Sequence, residues 1–296
     1  MKLKHFYLIT LIFFITSCAS STYFQLYKAE SDSVRLDSDG MVFENEDIKV
    51  VYNFWDDAGN SSFLLFNKTN SDIYVDLKKS HLILNGIAHT YFQNRSFSES
   101  STSNFTAGGT TTSGYYKGIS NYLINSFYNN NSGSSFYTGN TSSILSYITS
   151  GSKSTVSEGY AVTTIEKDIV CVPPQSAKPF TGFSLKNSLF RDCDLLRFPS
   201  KKEITSKTFD AESSPLIFKN IIAYGFEEAE EDSYKKVETD FWVSEITNYP
   251  KEKFIESKYP EFCGEKSDYQ LNYYIYDQPN RFFIKYKKGT TTVFDH

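Results

Sequence analysis

Cysteine, methionine, histidine and proline are all scarce, at 4, 2, 4 and 8 residues in a chain of 296. No two cysteines stand in a Cys-x-x-Cys arrangement, which excludes the common zinc and dithiol motifs. There is no Gly-x-Ser-x-Gly elbow, no Gly-rich phosphate loop ending in Gly-Lys-Ser/Thr and no His-Glu-x-x-His pair. Three widespread catalytic frameworks are thereby absent. Positive charge is short too: 30 Lys and Arg against 35 Asp and Glu give a net charge of −5. A nucleic-acid partner would call for a basic stripe, so none is expected. Apolar runs are brief. The longest, Phe6 to Thr16, falls below the roughly 20 residues of a membrane-spanning helix.

Aromatic residues are abundant instead, with 26 Phe and 22 Tyr against 15 Gly. Such rings favour the pleated, half-buried surface of a sheet and bring large buried area to a core. The length leaves ample chain for one or two domains with a real core.

The N-terminus has its own pattern. Lys2 and Lys4 precede the apolar run, and Ile15-Thr16-Ser17-Cys18 closes it. A charged lead, a short apolar stretch and small residues before a cut describe a secretory signal. Removing it removes two lysines and makes the rest of the chain more acidic.

From residue 41 the chain alternates with the period of a strand. Ile48, Val50, Tyr52 and Phe54 interleave with Lys49, Val51, Asn53 and Trp55. Asp56-Asp57-Ala58-Gly59-Asn60 reads as a turn, Phe63 to Phe66 as a strand, and Ile73, Val75 and Leu77 as the start of another. Asn85-Gly86 predicts a type I′ hairpin turn, because both positions must take positive φ. Ile87 to Phe92 is its return strand. Asp37-Ser38-Asp39-Gly40 begins like a calcium loop, but Met41-Val42-Phe43 follows where acids should, so a turn is expected. Strand character returns at Ile165, runs through Ile169 to Val172 and stops at Pro173-Pro174. Phe180, Phe183 and Leu185 suggest a further strand. Leu216 to Phe226 and Val237 to Ile246 are expected to pair as a hairpin. Tyr269 to Tyr276 and Arg281 to Tyr286 complete the set.

Residues 96–160 break this pattern with Ser, Thr, Gly, Asn and Tyr and almost no charge. Within them Tyr115, Tyr116, Ile119, Tyr122, Leu123 and Phe127 recur at helical spacing. A membrane-inserting hairpin would need sustained alternation, and residues 110–128 do not have it.

Candidate chemistry is sparse. His81 and His89 flank the Asn85-Gly86 turn, where they could face each other across the strands, but no third metal ligand stands beside them. His296 is terminal. The acidic stretch Glu227 to Asp232 reads as a solvated hairpin tip rather than a calcium loop. Cys171 lies among apolar residues and reads as a buried strand position. Cys193 and Cys263, in polar loop-like surroundings, are the expected disulfide pair of an exported chain. Tyr273-Tyr274-Ile275-Tyr276 places aromatics on both faces of a strand, so some rings should reach the surface. No catalytic residue, metal site or cofactor is expected.

Ile15-Thr16-Ser17-Cys18 resembles the lipobox of bacterial lipoproteins. The resemblance implies cleavage by signal peptidase II before Cys18 and acylation of its sulfur, with diacylglyceryl and palmitate-type chains as the membrane anchor. Ala19 in place of Asp leans towards the outer membrane rather than the inner. With Asn67-Lys68-Thr69 through Leu84-Asn85-Gly86 and Val172-Pro173-Pro174, the chain resembles uncharacterised envelope lipoproteins of Bacteroidota, a family that implies no known activity. Asp32-Ser33-Val34 resembles the O-glycosylation motif of the same bacteria. The expected architecture is all-β: an antiparallel β-sandwich, immunoglobulin-like or related. Residues 1–17 form the signal peptide, 18–40 a tether, 41–95 and 161–296 the sandwich and 96–160 an insertion. The expected role is non-catalytic binding or assembly at the cell envelope, with an envelope protein or a glycan as partner besides the membrane. The alternatives are an envelope hydrolase with a loop-built site and a glycan-binding module.

Overall fold

The computed structural model describes residues 22–105, 156–226, 233–289 and 294–295. Cys18, the helical spacing around Tyr122, the acidic stretch 227–232 and His296 lie outside them.

Among the described residues the secondary structure of the chain is almost entirely β. It runs through β1 (Thr22–Glu30), β2 (Arg35–Leu36), β3 (Met41–Glu44), β4 (Ile48–Tyr52), β5 (Phe63–Asn67), β6 (Ile73–Leu84) and β7 (Ile87–Thr90). Next come β8 (Ser96–Phe105), β9 (Val156–Ile165), β10 (Ile169–Val172), β11 (Ala177–Phe180), β12 (Leu189–Phe190) and β13 (Ser206–Thr208). The long β14 (Ile217–Gly225) and β15 (Lys235–Pro250) follow, then one helical turn, α1 (Lys251–Phe254). The last elements are β16 (Ile255–Lys258), β17 (Glu261–Phe262), β18 (Glu265–Lys266), β19 (Leu271–Tyr274), β20 (Arg281–Lys287) and β21 (Phe294–Asp295).

Two antiparallel sheets form the sandwich. The larger has the order β10-β6-β14-β15-β1-β20, with β7 on β6 and β13 on β15; the smaller has the order β11-β5-β4-β3-β2. Alternation decides which side chains meet between them. From the small sheet come Met41, Ile48, Val50, Tyr52, Phe63 and Leu65; from the large one Tyr27, Val75, Leu82, Phe218, Ile222, Phe241 and Phe282. At the centre Phe54 meets Phe218 and Phe241 edge-on, with ring centroids 5.2 and 5.0 Å away. Such aromatic pairs stabilise beyond their area, by about 0.5–1.5 kcal/mol each.

β1 is a correction to the expected tether. Thr22 to Glu30 is a strand inside the large sheet, paired with β15 on one side and β20 on the other. Its alternation is hidden because both faces are covered. Tyr27 packs into the sandwich, while Phe24 and Leu26 join a second cluster on the opposite face with Trp55, Phe254 and Phe283. The second cluster seats the lobe of α1, β16 and β19. There the Phe254 ring, fully buried, stacks on Phe24 at 4.3 Å.

Several turns follow the sequence reading. Asn85 and Gly86 take φ of 45° and 85°, and Leu84 pairs with Ile87. β14 and β15 pair antiparallel from Ile217↔Trp242 to Tyr224↔Lys235. The strands of Tyr269–Tyr276 and Arg281–Tyr286 are not partners of each other: β19 pairs with β16, and β20 with β1. The borders of the 96–160 stretch form a ladder, β8 with β9, from Ser96↔Ile165 to Phe105↔Val156.

Candidate functional site: a lateral groove

The two sides of the sandwich are finished differently. At the β20 edge, residues 54–58 close the gap: Phe54 N–H donates to Pro279 O, Ala58 N–H to Phe283 O and Phe283 N–H to Asp56 O. On the other side, the outer strands β10 and β11 follow one another through the short turn 173–176, and a groove of about 640 Å³ lies along them.

A bulge in β6 shapes the groove's deep end. The β14–β6 register moves from Ile221↔His81 to Ala223↔Asp76, so residues 77–80 bow out of the ladder. Asp76 Oδ1 accepts the N–H groups of Lys78 (2.9 Å) and Lys79 (3.0 Å), and the Ser80 hydroxyl accepts Ala223 N–H (3.0 Å). These bonds replace the lost ladder contacts, as buried backbone groups require. The bowed residues then recruit the chain on either side of the insertion. Leu77 N–H donates to Asp168 O (2.7 Å), Phe92 N–H to Leu77 O (3.1 Å) and Tyr91 N–H to Ser80 O (3.0 Å).

The Arg95–Glu166 pair joins the two ends of the insertion at this point. Glu166 Oε1 accepts both Arg95 Nε–H (2.9 Å) and the Nη2 group, while Oε2 accepts Gln93 N–H (2.8 Å) and Arg95 N–H (3.1 Å). The Glu166 side chain is 5% exposed. Burial alone would push its carboxyl up, but the guanidinium and the two backbone N–H groups outweigh burial and hold it below the usual range. Both oxygens are fully used, so Glu166 is a structural anion and not a base.

Leu77, Tyr91, Val170 and Phe180 form the apolar floor; Ile169 and Cys171 of the outer strand β10 flank it, with Tyr74 opposite Cys171 on β6. Phe180 stacks on Phe63 at 5.0 Å, and Tyr91 meets the same ring edge-on at 5.4 Å, so these rings are committed to the core. Ile165, 67% exposed, marks the rim. Lys167 and Lys178 also line the groove, and neither forms an ion pair among the described residues. The Lys178 Nζ donates to the Cys171 carbonyl at 3.4 Å, from one outer strand to the other. A mostly apolar cavity of this size with a few placed polar groups is the usual form of a ligand site.

The candidates named from sequence fall elsewhere or change character. Cys171 is half-buried and lines the groove, because β10 is an outer strand and not a central one. Cys193 and Cys263 are exposed and free, so the expected bridge is absent. They lie on opposite faces of β1. The 189–198 segment packs beside Tyr23 and Gln25, through the Gln25 Nε2 bond to Phe190 O and the Tyr23–Phe198 rings. The lobe that carries Cys263 packs on Phe24. His81 pairs with Thr90 and His89 with Leu82, so the two histidines do not face each other. The 37–40 segment is a turn, in which Asp37 N–H donates to Gly40 O. Ser33 is exposed, beside the buried Val34. Among the described residues no group of three His, Cys, Asp or Glu could hold a metal ion, and no helix is long and apolar enough to cross a membrane.

Sequence reading missed Arg95, Glu166, Lys167 and Lys178. A signal existed, since Arg95 and Glu166 are opposite charges at the two borders of an uncharged stretch. It also missed a carboxylate corner on the far side of the molecule. Burial raises the carboxyls of Asp56, Asp57 and Asp277, the last to about 6; the Tyr274 phenol is raised first by burial and then by the charges of Asp57, Asp277 and Asp56.

Comparison of the chain with protein-family models, with curated proteins and with solved structures finds no match.

Proposed function

We propose that this is a lipid-anchored protein of the cell envelope, acylated at Cys18, whose sandwich performs a non-catalytic binding or assembly role through the lateral groove. The groove carries this reading. Among the described residues it combines an apolar floor with two lysines that have no ion-pair partner and a single carboxylate, which is spent on Arg95. A hydrolytic site would need a carboxylate or imidazole free to move a proton, whereas binding needs only shape, apolar area and placed charge. The N-terminal pattern, a signal-like segment 1–17 followed by Cys18, supports that location. Two acyl chains hold a protein stably to a bilayer where one does not. The outer membrane is favoured over the inner by Ala19.

Mass spectrometry of the mature protein tests the anchor. The expected N-terminal peptide begins at Cys18 and carries diacylglyceryl and an amide-linked acyl chain, and Cys18→Ala protein leaves the membrane fraction. An unmodified start at Ala19 or Ser20 would reject the anchor.

A further inference from the structure

We infer that the groove's ligand is an extended acidic peptide from another polypeptide, with two carboxylate side chains four residues apart and an apolar side chain midway. This rests on the reading of the groove as a binding site.

Charge is the first argument. The chain carries −5 overall, yet among the described residues the groove's lining holds Lys167, Lys178 and Arg95 against the single acid Glu166, which Arg95 neutralises. Among the described residues two cations remain at a groove in an acidic protein. They favour an anionic partner and disfavour a second copy of this chain, whose own lysines would be brought to the same seam.

Spacing is the second. Lys167 stands just before β10, beside the Arg95–Glu166 pair, and Lys178 reaches the Cys171 carbonyl within β10. At about 3.3 Å per residue the stretch from Lys167 to Cys171 spans at most roughly 13 Å, the chain bending at Asp168 before β10. In an extended ligand, residues i, i+2 and i+4 lie on one face over the same length. Carboxylates at i and i+4 would meet the two lysines while the residue between them enters the floor of Leu77, Val170 and Phe180.

The edges supply the third argument. Asn67 N–H bonds Ser176 O, so by antiparallel alternation Ala177 and Pro179 turn their backbone groups away from β5. Proline stands at one of those outward positions and removes the donor, and Pro173-Pro174 ends β10. These residues blunt the edges against unlimited strand addition. Recognition therefore falls to side chains. The Tyr91 and Phe180 rings, packed against Phe63, are not offered as a flat platform for a sugar.

Anisotropy of a fluorescent peptide, Ser-Thr-Glu-Thr-Val-Thr-Glu-Thr-Ser, measured with the intact protein tests the inference. Saturable binding is expected. It should vanish when lysines replace both glutamates of the peptide, and weaken about tenfold in a Lys167→Glu/Lys178→Glu protein of unchanged melting temperature. Alkylation of Cys171, read in a Cys193→Ser/Cys263→Ser background, should slow when the peptide is bound. No binding, or equal binding to the charge-reversed protein, overturns the inference. If laurate alone protects Cys171, the peptide is wrong and the groove stands as a site for amphiphiles. If neither probe protects Cys171, the groove reading itself falls.

Discussion

The Tyr52 hydroxyl stands 2.9 Å from the Thr239 hydroxyl, and this contact joins the two sheets through the middle of an aromatic core. It belongs to a directed chain. Tyr91 O–H donates to Asn220 Oδ1 (2.8 Å), Asn220 Nδ2 donates to the Tyr52 hydroxyl (3.0 Å), and that hydroxyl faces Thr239. Burial pushes the Tyr52 phenol to about 12 and moves Tyr91 in the same direction, so both stay neutral donors. A fully satisfied buried network specifies one alignment of two sheets, where apolar packing alone would tolerate sliding.

Asn220→Leu should therefore be among the costly core changes. It removes the 2.8 Å acceptor of Tyr91 O–H and one of the two side-chain partners of the Tyr52 hydroxyl, which keeps Thr239, at about 1–3 kcal/mol for a buried group left unsatisfied. Tyr91→Phe strands only Asn220 Oδ1 and should cost less. Urea unfolding with the midpoint and slope fitted separately checks the order; equal costs would contradict the chain of donors.

Glu166→Gln should loosen the base of the β8–β9 ladder. The variant loses charge-assisted bonds from Arg95 and two backbone N–H groups, at roughly 1.5–3 kcal/mol. Amide exchange at Gln93 and Arg95 should rise ahead of the rest of the sheet. Because the Glu166 carboxyl is held below its unfolded value, its stabilisation is present above about pH 4.5 and is lost as pH falls through the folded value. The variant should lack this acid-side loss.

Asp277 should act in the opposite sense. Its carboxyl is raised from 3.8 to about 6 by burial, so its contribution is full below pH 3.8 and is lost as pH rises through about 6. Asp277→Asn should melt higher than the parent at pH 7.5, by roughly 1–2 kcal/mol after allowance for its solvent-facing side. Near pH 3.5 the two should coincide. Thermal melts at the two pH values decide it.

Much of the sandwich was legible because its strands obey a period of two or end in turns with one conformational solution, as at Asn85-Gly86. β1 was not, since a strand covered on both faces loses its alternation and Tyr23 to Tyr27 reads as an unpatterned stretch. The histidine register failed by one residue. His81 lies four positions before Asn85 but His89 only three after Gly86, enough to send them to opposite faces. The groove was illegible for another reason. Arg95 and Glu166 are 71 residues apart, and Lys178 and Cys171, although only seven apart, meet across a turn that passes from one sheet to the other. No local pattern encodes such meetings.

The position of β1 has a mechanical consequence. From Cys18 to Thr22 the backbone can reach at most about 14 Å. With the proposed anchor in a bilayer, the folded body has almost no leash and must ride close to the lipid with one end of the large sheet turned towards it. Any tug on the body is then transmitted along β1, in shear against the ladders of both β15 and β20, so detachment would have to rupture many hydrogen bonds at once instead of unzipping them singly.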